Sequence, residues 1–198
     1  MRIVILVLSA AFAVFVFVPS MPSAADKKPP LTVSIVADPL LRDRFATPEE
    51  FKAHILDIIN RASLIFNADI GRRLVPGVVE IGLPPNAGFS INDKSAFAWL
   101  GKKFKKRPSR FWVFFINRPL ASCHIPGIWS GCAMMNEARS IVVYDSDSAF
   151  TLQNLLHELG HNCGADHSES KDSIMFSISR NATSYGDKAG IIRNTCGQ

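Results

Sequence analysis

His157-Glu158-Leu159-Gly160-His161-Asn162-Cys163-Gly164-Ala165-Asp166-His167 reads H-E-x-x-H-x-x-G-x-x-H. On a helix, His157 and His161 lie four residues apart and leave the same face. That spacing suits two ligands of a tetrahedral zinc ion. Glu158 sits beside them, placed to act as general base on a zinc-activated water rather than to bind the metal. Gly164 is where the helix can stop and turn, because glycine accepts a positive φ without steric cost. The turn brings back His167 as a third ligand. Three protein ligands leave one coordination position open, the mark of a catalytic site. A bare H-E-x-x-H also describes two solvated histidines and a surface glutamate. Gly164, His167 and Met175, eight residues after His167, argue against that reading.

Working back from this stretch, Leu152, Leu155, Leu156 and Leu159 give the zinc helix its buried face. Asp145 to Ser148 is a polar turn capping a helix that starts near Phe150 or Thr151. Ser140 to Tyr144 is a short strand. Leu120 to Met135 reads as a loop carrying Cys123, Cys132, His124 and Trp129. His124 has no partner at ligand spacing and is taken as a loop histidine. Phe111 to Asn117 is almost entirely apolar, the pattern of a strand buried on both faces. Asn92 caps a helix to Phe104, and Arg73 to Leu83 is a strand bent at Gly77.

Thr47-Pro48-Glu49-Glu50 starts a long amphipathic helix. Its apolar positions Phe51, Ile55, Ile58, Ile59, Ala62, Ile65 and Phe66 carry it to about Asn67. His54 on this helix reads as a surface or packed histidine. Leu31 to Ala37 is the first strand. A strand followed by a crossover helix implies parallel neighbours. The order therefore predicts an α/β domain with a mostly parallel twisted sheet and two long helices besides the zinc helix.

The chain has 198 residues, enough for one domain with a sizeable core. Met1-Arg2 opens a basic segment, Ile3 to Val18 is apolar apart from Ser9, and Ser23-Ala24-Ala25 offers a cleavage site. Residues 1–25 are expected to be a secretory signal, the alternative being an uncleaved anchor. The remainder, residues 26–198, is expected to be one catalytic domain without a separate pro-domain. No cysteine precedes Cys123, so no cysteine switch is expected.

Loss of Arg2 lowers the formal charge from +5 to +4. The basic cluster Lys102, Lys103, Lys105, Lys106, Arg107 and Arg110 reads as a solvated helix end, and nothing suggests nucleic-acid binding. Cys123, Cys132, Cys163 and Cys196 are candidate disulfide cysteines in an exported chain. Three pairings can be drawn. Loop entropy favours Cys123–Cys132 with Cys163–Cys196. Asn181-Ala182-Thr183 is a glycosylation sequon.

The zinc motif with Met175 as a Met-turn resembles the metzincin signature. Leu31 to Asp38, Phe97-Ala98-Trp99, Gly127 to Cys132, Ser140 to Tyr144 and His157 to Asn162 follow one another as in the adamalysin (reprolysin) catalytic domain. The resemblance covers most of residues 31–180. It implies a metzincin catalytic domain with a small C-terminal subdomain after Gly164, Met175 supporting the metal site, and Cys132 paired with Cys196, leaving Cys123 for Cys163. It also implies that the strand before the zinc helix, Ser140, Ile141, Val142, Val143 and Tyr144, receives substrate by β-augmentation. The S1′ pocket would lie between the zinc helix and roughly Phe176 to Tyr185. Ser168 stands where adamalysins place Asp, and Ser173 replaces a cysteine. His167-Ser168 with Met175 eight residues on is more matrixin-like, but the histidines and acids for structural zinc and calcium are not evident.

The expected function is a secreted, extracellular (or periplasmic) zinc metalloendopeptidase. It would carry one catalytic Zn2+, act on protein or peptide substrates as a monomer, and have no stable membrane association once the signal is removed. The alternatives are a catalytically silent binding protein or inhibitor on the same scaffold, or a zinc-sequestering protein. Glu158 and the open coordination position weigh against both.

Overall fold

The centre of the sheet is Phe111–Ile116 (β3), six residues all buried, as a strand covered on both faces must be. The computed structural model describes residues 28–85, 87–105, 109–177 and 181–198. The expected signal at 1–25, the basic residues Lys106 and Arg107, and Ile178 to Arg180 lie outside the described residues. β3 pairs in parallel with Leu31–Ala37 (β1) on one side and Arg139–Val143 (β7) on the other. Leu74–Ile81 (β2) extends the sheet beyond β1, also in parallel, and Gly131–Ala133 (β6) closes the far edge antiparallel to β7. The order is β2-β1-β3-β7-β6, and the expected mostly parallel α/β architecture holds.

The helices form as their sequences direct. Thr47 Oγ1 accepts from the Glu50 amide at 3.1 Å, and Pro48 opens Pro48–Ile70 (α2). The helix outruns its expected end by one turn, because Gly71 adopts a φ of 75° and ends it as a left-handed cap. Asn92 caps Asp93–Phe104 (α3), and Asp147 caps Ser148–Asn162 (α4). A short Pro39–Arg42 turn (α1) follows β1, and Ala189–Cys196 (α5) ends the chain. Neither was read from sequence, being only four and eight residues long.

Strand alternation assigns each side chain a face. Val33, Ile35, Val113, Phe115 and Val142 pack against α2, α4 and α5. Val36, Trp112, Phe114, Ile116 and Ile141 pack against α3 on the other face. The bend expected at Gly77 is a bulge. The register slips between Val33 and Ile35, and the displaced Val78 amide donates to Ser34 Oγ at 3.2 Å.

Residues 120–135, expected to be loop, are folded. Leu120–Cys123 (β4) and Ile125–Trp129 (β5) form an antiparallel hairpin, and β6 follows at once. Pro126, Gly127 and the short runs hid these strands from a reading by periodicity. No helix among the described residues is long and apolar enough to cross a membrane.

Candidate metal centre and cleft

α4 carries His157 and His161 on one face, and their Nε2 atoms stand 3.1 Å apart. The helix stops at Gly164, whose φ of 86° makes the tight turn expected of it. A Cβ there would lie 2.5 Å from Asn136 Oδ1. The chain then returns His167 to the other two, with ring centroids 4.7, 5.2 and 4.9 Å apart pairwise. The structure thus brings the three sequence-predicted ligands together. Their candidate ligand atoms lie within 4.8 Å of one another.

The second nitrogens of two rings decide what these atoms can do. His157 Nδ1 donates to the Ile174 carbonyl at 2.8 Å, and His161 Nδ1 donates to the Ala165 carbonyl at 2.7 Å. A nitrogen facing a carbonyl oxygen must carry the proton, so both Nε2 atoms present lone pairs. Two lone pairs facing each other at 3.1 Å repel unless a cation lies between them. Ligands on a tetrahedral zinc with bonds of about 2.0–2.1 Å would stand about 3.3 Å apart. The donor set therefore fits zinc. Burial, followed by the charge of the neighbouring histidine, pulls the His157 pKa down to about 4. Burial likewise lowers that of His161. Both favour the neutral, ligating form.

Met175 is fully buried against Gly160 of α4, where any Cβ would overlap its sulfur. Gly160 is thus needed for packing at an unspecified position of the motif. Ser173 holds the turn, accepting from the Met175 amide at 3.2 Å and donating to the Tyr185 carbonyl at 2.9 Å. Tyr185, also fully buried, donates its hydroxyl to the Leu156 carbonyl at 2.7 Å. Sequence reading missed Tyr185; a tyrosine in a polar C-terminal segment gives no local sign of such burial.

Glu158 is 5% exposed and packs against Gly131 of the edge strand, where a Cβ would overlap its carboxylate. Its Oε2 has no hydrogen-bond partner among the described residues. Burial pushes its pKa up to about 8.

The histidines and Glu158 open into a cavity of about 360 Å³, whose opposite wall includes Gly131, Ala133 and His124. Val143 donates to Ser130 and Met134 donates to Arg139. The alternate residues Gly131 and Ala133 therefore turn their backbone groups outward, to an edge that pairs with no strand among the described residues. This corrects the expectation that Ser140 to Tyr144 receives substrate. β7 lies between β3 and β6, and both its edges are already hydrogen-bonded. The free edge beside Glu158 is β6.

His124, set aside as a loop histidine, lines this cleft. It sits at the hairpin turn with a φ of 63°, and its amide donates to buried Asp93 at 2.9 Å. Its Nε2 lies 3.3 Å from the Ala133 carbonyl. His54 is half-buried, 3.1 Å from the Tyr144 hydroxyl and beside Phe45, away from the metal centre. Asn181 of the sequon is exposed.

The disulfides are Cys123–Cys132 and Cys163–Cys196, the pairing favoured by loop entropy. The Cys132–Cys196 pairing implied by the adamalysin resemblance is overturned. Cys132 lies on the α3 side of the sheet with Cys123, and Cys163 and Cys196 pack together on the α2 side.

The sequence matches no family model and no curated protein. Among solved structures, the crystal structure of an archaemetzincin from Methanopyrus kandleri has a TM-score of 0.67 at 15% identity, covering 89% of this chain and 99% of that one. A structure described as a chaperone-substrate complex gives a TM-score of 0.62 at 16% identity, covering 83% of this chain but only 33% of the other. At these identities the likeness is one of fold. The chain has a metzincin-like fold.

Proposed function

We propose that this chain is a secreted zinc metalloendopeptidase. One observation carries the reading: two Nε2 lone pairs, fixed by carbonyl partners behind them, converge with a third histidine beside a buried carboxylate at a free sheet edge. His157, His161 and His167 would hold the metal. Zinc bound there supplies Lewis acidity toward water and a peptide carbonyl. The outward-turned N–H and C=O of Gly131 and the amide of Ala133 bind the substrate backbone as an added strand. Glu158 takes a proton from the attacking water at its carboxylate and returns it to the departing amine. Gly131 leaves room for that carboxylate at the edge where the scissile bond would lie.

Export is supported by the signal-like sequence of residues 1–25 and by two disulfides, which persist in oxidising compartments. The adamalysin affiliation rests on the upstream sequence patterns alone.

The test is hydrolysis of a general protein substrate, with zinc content measured in parallel. Cleavage is expected, with loss on chelation and recovery on adding zinc. Glu158→Gln should bind zinc and cleave about 10²–10⁴-fold more slowly. A protein that holds one zinc yet cleaves no member of a broad peptide library would instead be a silent binding protein.

A further inference from the structure

The cavity beside the histidines contains polar groups that Glu158 chemistry leaves unused. Three buried side-chain nitrogens without a hydrogen-bond partner among the described residues are Trp129 Nε1, Gln153 Nε2 and Asn154 Nδ2. All three residues line this cavity. Gln153 and Asn154 are only 5% and 7% exposed. They stand one turn before His157 and Glu158, on the same side of α4. Trp129 reaches over from the hairpin and lies across Gly127, where a Cβ would come within 2.8 Å of the indole nitrogen. Much of the remaining wall is apolar, with Phe150, Ile174 and Phe176.

A buried donor without an acceptor costs roughly tenfold or more in an equilibrium constant. Three on residues that line one cavity, two from α4 and one from the hairpin, form a receptor that lacks its acceptor. The missing group must accept without donating. A carboxylate does so, with about four lone-pair sites on two oxygens. A side-chain amide brings two N–H groups of its own, and the orphaned acceptor on this wall is Glu158 Oε2, which the reaction needs.

We propose that Trp129, Gln153 and Asn154 form a carboxylate-binding subsite in this cavity, so that the favoured substrate places a carboxylate next to its scissile bond. The carboxylate comes from an Asp or Glu side chain or from the C-terminus of the substrate. The inference rests on the peptidase reading for the identity of its ligand as a peptide. Gln153 also borders a second cavity of about 400 Å³ between α2 and α4, so Trp129 and Asn154 are the discriminating positions.

The experiment measures peptide binding to Glu158→Gln protein carrying one equivalent of zinc. The peptides share an alanine-based sequence. One set is amidated with Glu scanned along it, a second is amidated with Leu at the same positions, and a third is a truncation series with free C-termini. Glu at one position, or one free terminus, should bind roughly tenfold or more tighter than Leu. The first result identifies a side-chain carboxylate and the second a terminal one. Trp129→Phe removes the indole N–H and keeps an aromatic ring, and Asn154→Asp exchanges the donor for an acceptor at nearly constant shape. Each should collapse the carboxylate preference while leaving the Leu peptides bound as before.

Equal binding of Glu, Leu and free-terminus peptides overturns the proposal, as does a preference that survives both substitutions. If the preference appears but the unsubstituted protein cleaves nothing, the peptidase reading fails and the subsite stands. If cleavage proceeds with no carboxylate preference, the subsite alone fails.

Discussion

The two walls of the cleft are built by different physics. The α4 wall is local: two of the proposed ligands and the proposed base come from five consecutive residues of one helix, and the third histidine returns six residues later around a glycine. The opposite wall is not. It joins an edge strand of three residues, a hairpin turning on His124 and a disulfide tying Cys123 to Cys132. A wall set by helical periodicity tolerates little change before chemistry is lost. A wall set by long-range contacts should fail by degrees.

The largest expected effect falls on the α4 wall. His161→Ala should abolish both zinc binding, measured as metal content, and hydrolysis. Glu158→Gln should keep the metal and lose about 10²–10⁴-fold in kcat/KM. If His161→Ala kept both metal and activity, the local account of this wall would be wrong.

The disulfides should separate next. Cys163–Cys196 closes a separation of 33 residues and joins the end of the zinc helix to α5. Replacing both cysteines with alanine should cost about 4 kcal/mol in denaturant unfolding. Cys123–Cys132 spans nine, and its removal should cost about 2–3 kcal/mol. The smaller loss should come with a disproportionate fall in activity, because that bond holds His124 and β6 together.

Two glycines sharpen the contrast. Gly160→Ala forces a methyl group against the Met175 sulfur inside the core and should cost about 1–3 kcal/mol of stability. Gly131→Ala meets the Glu158 carboxylate instead. It should leave unfolding nearly unchanged and lower kcat/KM by about 10²-fold, since a small misplacement of a reacting group is that costly.

The smallest effect lies outside both walls. Burial lowers the His54 pKa below its ordinary 6.5. The unfolded chain therefore takes up a proton first as pH falls through 6.5, and stability drops over that interval before levelling below the folded pKa. The stabilising contribution is fully present above 6.5. A pH series of unfolding midpoints should show this slope on top of those from His157 and His161, whose pKa values are also lowered, and His54→Phe should reduce it by a small part.

How far the sequence reached follows the same division. The ligand spacing, the Gly164 turn, the Thr47, Asn92 and polar-turn caps, and the buried β3 strand were legible because each depends on residues within one or two turns. The hairpin and β6 were not. Strands of three to five residues interrupted by Pro126 and Gly127 lack a period long enough to read. The proposed substrate edge was assigned one strand too late in the chain. Sequence order places Ser140 to Val143 just before the zinc helix, but only sheet pairing reveals that its edges are occupied.

The chain by itself determined that three histidines and a glutamate could meet a metal, because helical geometry fixes residues 157, 158 and 161 on neighbouring positions and glycine accepts the turn that follows without steric cost. Only the tertiary structure decided which strand keeps a free edge, that His124 lines the same cavity as the three histidines, and that Trp129 and Asn154, 25 residues apart, line it too. Those relations belong to strand pairing and packing between distant segments, where the energy lies in contacts that no local pattern encodes.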